Sequence, residues 1–153
     1  MTAALHLAGV DDIERLLPLV AAYHELEGVE QDDASRRAAV MPLLEGSPHG
    51  AVWLVGLRRA PVGYVAVSFG WSIEFGGMDG IVDEFFIREN VRGRGMGSEV
   101  LASLQATLAA AGLKALHFEA GRRNAAARTF YERRGFLLRE GYHLMSWRAP
   151  DQG

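Results

Sequence analysis

Asp83 and Glu84 stand side by side inside an otherwise apolar run, "IVDEFFI", and Tyr131 follows Phe130 in "NAAARTFYERRGF". Two carboxylates and a phenol are groups that move protons. An alkylamine has a pKa near ~10 and is protonated at neutral pH, so it must lose a proton before it can act as a nucleophile, and a carboxylate near it can take that proton. A phenol of similar pKa stays protonated at pH 7 yet can donate to a developing anion. Strand side chains alternate, so Asp83 and Glu84 are expected on opposite faces, with one of them facing any given pocket.

Between these groups lies "VRGRGMG", with Gly93, Gly95 and Gly97 alternating with Arg92, Arg94 and Met96 after a strand and before an amphipathic run. A glycine turn entering a helix presents unpaired backbone N–H groups and the positive end of the helix dipole, a setting for phosphate. The nucleotide P-loop, G-x-x-x-x-G-K-[ST], is excluded because no lysine or correctly spaced glycine is present. The dinucleotide pattern G-x-G-x-x-G fits Gly93 and Gly95 but meets its third glycine one residue early, at Gly97. The acids at Asp83 and Glu84 also interrupt a strand that such a fold wants apolar.

The remaining phosphate compound is coenzyme A, and here a family resemblance enters. "RGRGMG" resembles the R/Q-x-x-G-x-G/A signature of the GCN5-related N-acetyltransferase (GNAT) superfamily. "NAAARTFYERRGF" is similar to that superfamily's N-x-x-A-x-x-F-Y-x-x-x-G-F segment. Within the superfamily, "VDEFFIRENVRGRGMGSEV" looks most like the stretch in spermidine/spermine and thialysine acetyltransferases. The resemblance implies acetyl-CoA as co-substrate and direct transfer of its acetyl group to a primary amine of a small cationic acceptor.

It also implies roles. Glu84 is expected as a water-mediated base and Asp83 as acceptor-binding partner, the assignment between them open, with Tyr131 as general acid. Backbone groups of Phe85 and Ile87 should pair with the pantetheine amides. Phe86, Arg92, Gly93, Arg94, Gly95, Met96, Gly97 and Arg128 fall in the cofactor-binding segments, and Asn124, a helix cap on structural grounds, adds a hydrogen bond to the cofactor. Arg122 and Arg123 could meet the adenosine phosphates. The acceptor pocket would draw on Tyr23, His24, Glu27, Trp71, Glu74 and Asp83, with His24 an alternative base. The proline common after the strand is missing from "IREN", and the glycine-rich turn "EFGGMDG" departs from the polyamine enzymes.

The elements that must position these groups are legible in outline. With 153 residues, 49% of them hydrophobic, and no cysteine, the chain suits one domain over residues 1–153, without disulfides or thiolate metal sites. Five histidines without H-x-x-x-H spacing argue against a metal site. A short strand at 3–8 leads into a helix from Asp11 or Asp12, kinked or restarted at Pro18. A second helix, 31–45, should break near Pro42. Strands "GAVWLVGL", "PVGYVAVSFGWSIEF" and "IVDEFFI" form an antiparallel meander. A helix follows the glycines, then a strand "KALHFEA", a helix "NAAARTFYERR", and terminal strands "FLLRE" and "YHLMSWR". The fold class is mixed α+β, a mostly antiparallel twisted sheet of six to seven strands flanked by about four helices.

Charge is unevenly spread. Residues 1–87 hold 5 basic against 13 acidic side chains, and residues 88–153 hold 11 against 6. That fits a cationic acceptor facing the first half and an anionic cofactor on the second. A net charge of −3 argues against nucleic acid, and the N-terminal residues fit neither a signal peptide nor a membrane span, so a cytoplasmic location is expected. A homodimer could form along an exposed C-terminal strand. Outside the amine acetyltransferases, the alternatives are an acyl-CoA sensor without catalysis and a nicotinamide-dependent oxidoreductase.

Overall fold

The computed structural model describes residues 4–93, 95–120 and 125–151. The chain divides into two compact units, Met1–Ala120 and Gly121–Gly153. The first opens with strand β1 (Leu5–Leu7), a 3₁₀ turn at Val10–Asp12, and helices α1 (Ile13–Glu27) and α2 (Asp33–Leu44). Strands β2 (Gly50–Leu57), β3 (Ala60–Ser72) and β4 (Gly77–Ile87) follow, then α3 (Met96–Ala110) and β5 (Ala115–His117). The second unit holds α4 (Ala125–Arg133).

The sheet runs in chain order, β1-β2-β3-β4-β5, with every pairing antiparallel except β4 with β5. Neighbouring residues of one strand serve opposite faces. Val52 and Leu54 of β2 join Leu16, Leu19 and Val20 of α1 in one core layer. Trp53 and Val55 join Val100, Leu104 and Leu108 of α3 in the other. The sheet is thus covered on both sides, which is why β2 and β3 read as nearly unbroken apolar runs.

Several expectations change. Pro18 lies within α1 and Pro42 within α2, and neither breaks its helix. Both helices continue through the proline, each giving up one intrahelical N–H there. The sheet has five strands among the described residues, not six to seven. The segments "FLLRE" and "YHLMSWR" have strand-like composition but form no strand, and Leu137, Met145 and Trp147 are largely exposed. Strand propensity needs a partner ladder to act on, and none is formed there. The edge on which a homodimer was expected to rest is therefore absent from the described residues. No helix among the described residues is long and apolar enough to cross a membrane.

The close fit of β3 against β4 depends on Gly63. A Cβ there would strike the carbonyl oxygen of Phe86 and lie 3.0 Å from the Cα of Ile87, both backbone atoms that cannot swing aside. Gly63→Ala is expected to destabilise the fold by roughly 1–3 kcal/mol, the usual cost of overpacking, read as a lower urea midpoint at unchanged slope. Gly9→Ala, whose added carbon meets nothing within 4 Å, should move the midpoint far less.

Candidate active site

The site begins with one surplus residue in β4. Ala66 of β3 stands opposite Glu84 and Val67 stands opposite Val82, so Asp83 has no partner and forms a β-bulge. Its consequence is visible in the packing. Val82 belongs to the α3-side layer, whereas Phe86 belongs to the α1-side layer. In a regular strand residues 82, 84 and 86 would share a face. The bulge resets the alternation and turns Glu84 toward α1. The simple opposite-faces expectation for the acid pair is thereby replaced: Asp83 is the extra residue, exposed at the bulge, and Glu84 is the inward one.

Glu84 is held at both oxygens. The Tyr64 hydroxyl of β3 donates to Oε1 at 2.7 Å, and His24 Nε2 lies 2.6 Å from Oε2. The Glu84 side chain nevertheless keeps 21% of its surface exposed. His24 arrives because α1 presents Ile13, Leu16, Val20 and His24 on its buried face at helical spacing. Behind it, Arg36 Nε donates to His24 Nδ1 at 3.4 Å. Asp32 caps α2 by accepting from the Ser35 N–H at 2.7 Å, which fixes the turn from which Arg36 projects. Tyr23 completes the wall, its ring edge-on to Tyr64 at 6.3 Å and to Phe86 at 6.1 Å.

Electrostatics separates the groups by task. Burial, then the charge and hydrogen bond of Glu84, push the Tyr64 phenol far above its ordinary value, so it remains a neutral donor. The Asp83 carboxyl is raised by desolvation first and then by the nearby charges of Glu84 and Glu119. In the second unit, burial raises the Tyr131 phenol, whose ring packs on Phe130 at 5.3 Å and Phe136 at 6.1 Å.

The far end of β4 leads into the glycine turn. Arg88 N–H donates to the Val62 carbonyl, and the Phe86 carbonyl faces Gly63, so even-numbered residues bond toward β3. Phe85 and Ile87 therefore direct their backbone groups to the opposite edge. β5 pairs only with Asp79–Ile81, which leaves that edge uncovered by β5 beyond the bulge. Gly93 and Gly95 adopt left-handed φ angles of 80° and 74°, and Gly95 is the N-cap of α3. Gly97 lies inside α3 and has no such requirement. Arg92 is braced rather than extended: its Nε donates to the Ile87 carbonyl at 2.7 Å and its guanidinium stands 5.6 Å from the Phe86 ring centre. Met96 begins α3.

Other expected residues lie elsewhere. Trp71 is paired with Met78, five residues along β3 from Ala66, which puts it roughly 16 Å from the Glu84 position, and Glu74 lies in the turn beyond it. Glu27 is exposed at the end of α1. Arg128 makes an i,i+4 ion pair with Glu132 on α4 at 3.4 Å. Arg94, Arg122, Arg123 and Asn124 lie outside the described residues. Two members of the Glu84 network, Tyr64 and Arg36, were missed by sequence reasoning. Arg36 shares helical spacing with Val40 and Leu44 and could have been found there. Tyr64 required the strand register.

The raised Asp83 carboxyl gives a signed expectation. A carboxyl whose folded pKa exceeds its unfolded value binds protons more readily in the native state, so its contribution to stability declines as pH rises through that interval. Asp83→Asn should therefore raise the melting temperature at pH 7, and the gain should shrink as pH falls through the raised Asp83 interval and be gone once the ordinary carboxylate range is reached. Thermal melts across pH would check both.

Comparison with known proteins agrees with this architecture. The profile described as "Acetyltransferase (GNAT) family" matches residues 14–136. No curated protein matches the chain. Among solved structures, an integron cassette protein, HFX_CASS3, from the mobile metagenome of Cole Harbour Salt Marsh has a TM-score of 0.82 at 28% identity, covering 96% of this chain and 91% of that one. Ribosomal-protein-alanine N-acetyltransferase from Brucella melitensis biovar Abortus 2308 has a TM-score of 0.72 at 19% identity over 95% and 99% of the two chains. Aminoglycoside N-acetyltransferase AAC(6')-Iy, solved in complex with CoA, has 0.77 at 13% identity over 96% and 94%. The last two likenesses show the fold. With its profile spanning most of the sequence, from α1 past α4, the chain belongs to the acetyltransferase (GNAT) family.

Proposed function

We propose that the protein is an acetyl-CoA-dependent N-acetyltransferase that passes the acetyl group directly to a primary amine of a small cationic acceptor, with no covalent enzyme intermediate. The observation that carries this reading is Glu84, a carboxylate turned inward by a bulge and held at both oxygens, beside a strand edge that β5 does not cover. Acetyl-CoA, when bound, supplies the thioester carbonyl. The chain's own groups fit it: the outward backbone of Phe85 and the N–H of Ile87, whose carbonyl accepts from Arg92, offer strand-like pairing, and the glycine turn at the N-terminus of α3 offers N–H groups to phosphate.

Glu84 takes the proton of the acceptor ammonium, directly or through water, as the amine nitrogen forms its bond to the carbonyl carbon. Tyr131, protonated at neutral pH, gives its proton to the sulfur as the carbon–sulfur bond breaks. Asp83, Glu84 and Glu119 gather negative charge beside the acceptor's path, which favours a cation. Polyamines, amino acid side chains, aminoglycosides and peptide termini share that chemistry. His24 orients Glu84 rather than serving as base, since both of its ring nitrogens are engaged.

Glu84→Gln and Tyr131→Phe are each expected to lower kcat by ~10²-fold or more, the scale of general acid–base groups, in steady-state assays on an amine panel. Two fully active variants would discard the mechanism. A thermal-shift titration separates the readings: acetyl-CoA and CoA should raise the melting temperature as ln(1 + [L]/Kd) and NADH should not. A shift with NADH alone would point to an oxidoreductase. Coenzyme binding without turnover on any amine would point to a sensor.

A further inference from the structure

Arginine can only donate hydrogen bonds. Its Nε–H at position 36 is directed at His24 Nδ1 across 3.4 Å, so that nitrogen carries a lone pair and the ring proton lies on Nε2. The 2.6 Å contact to Glu84 then runs from His24 Nε2–H to Oε2. The guanidinium cannot easily leave, because its own helix entrance grips it. Nη1 donates to Asp33 at 2.8 Å and Nη2 to the Gln31 carbonyl at 2.7 Å. The Asp33 carboxylate is fully exposed, so the buried cation is answered by a well-hydrated counter-charge at its outer end.

We infer that Arg36 is a positioning residue of the site: by occupying His24 Nδ1 it holds the imidazole in the neutral Nε2–H tautomer and so keeps Glu84 a carboxylate held by neutral donors. The inference deepens the acetyl-transfer reading and rests on it for the role of Glu84 as base. Two other states of the ring would spoil that base. With the proton on Nδ1, a lone pair on Nε2 would face the carboxylate at 2.6 Å. As an imidazolium, His24 would form an ion pair that stabilises the Glu84 anion and makes it less willing to take a proton. A donor already seated at Nδ1 disfavours both, and the charge of Arg36 opposes the second. The other titratable or charged groups around the ring are Tyr23 of α1, Tyr64 of β3, Asp83 and Glu84 of β4, and Asp33 of α2 beyond Arg36. Among the described hydrogen bonds, Arg36 alone reaches Nδ1.

The ring state can be read without turnover. Long-range ¹H–¹⁵N spectra of the histidine rings at neutral pH, with His24 assigned by its disappearance in His24→Gln, should show Nδ1 unprotonated and Nε2 protonated in the wild-type protein. A wild-type ring found as Nδ1–H or as imidazolium overturns the inference, whether or not any variant folds. Arg36→Met should lose that pattern and lower kcat by roughly tenfold or more while leaving KM for acetyl-CoA in place. An unchanged ring pattern in Arg36→Met overturns it. Glutamine at position 24 can present an oxygen to Arg36 and an N–H to Glu84 but cannot ionise. Adding Arg36→Met to His24→Gln should therefore cost much less activity than adding it to the wild type. Equal costs would mean that Arg36 only secures α2, and would overturn the inference. Absence of transfer by the wild-type protein would remove the reaction, while the tautomer assignment would still be decided by the spectrum.

Discussion

The extra residue at Asp83 governs the arrangement around it. Because strand side chains alternate with period two, one inserted residue exchanges the faces of everything beyond it. Val82 can therefore pack with α3 while Glu84, two residues on, points at α1. The same insertion coincides with the end of pairing to β5, whose register stops opposite Ile81. One local irregularity thus delivers an inward carboxylate and a strand edge that β5 does not cover to the same place. A regular β4 would have put Glu84 among the apolar side chains of the α3 layer, where an unpaired carboxylate is costly.

An inward carboxylate must be paid for by partners, and the choice of partners decides what it can do. A lysine or arginine in direct contact would satisfy the charge and suppress its basicity. Here the contacts come from a tyrosine hydroxyl and an imidazole N–H, both neutral donors, with the cation, Arg36, one residue further back. The charge is accommodated by hydrogen bonding without a cation in direct contact. Tyr64 suits this place because burial and the adjacent anion both oppose its ionisation. The aromatic packing of Tyr23, Tyr64 and Phe86 limits the directions from which water and ligand can approach.

The opposite end of β4 follows a different logic, in which backbone conformation rather than side-chain contacts shapes the segment. Gly93 and Gly95, both with left-handed φ angles, lie between the strand and the helix, and Gly95 is the N-cap of α3. Arg92 turns back to cap the Ile87 carbonyl and lies over Phe86. Its charge therefore contributes at the edge of the loop, while its guanidinium also stiffens the strand end that leads into it.

How much of this the amino-acid order determined by itself differs from part to part. The glycine–arginine turn, the helix beginning at Met96 and the helix around Tyr131 were legible because each is a local signal, written in residues close together in the chain. The meander was legible because its strands are apolar runs separated by turn residues. Local pattern failed at the C-terminus, where strand-like composition at 136–148 has no ladder partner among the described residues. Local pattern also did not show that α1 runs on past Pro18 or α2 past Pro42. The bulge, and with it which acid faces inward, depends on the register between β3 and β4, a relation between residues about 20 apart. Likewise, His24, Arg36, Tyr64 and Glu84 come from four different elements, separated by up to 60 residues, and only packing of α1 and α2 on the sheet makes them one network. Sequence determines which groups are available at each position. Tertiary structure decides which of them share a proton, because the 2.6 and 2.7 Å hydrogen bonds of Glu84 join residues 60 and 20 positions apart on different elements.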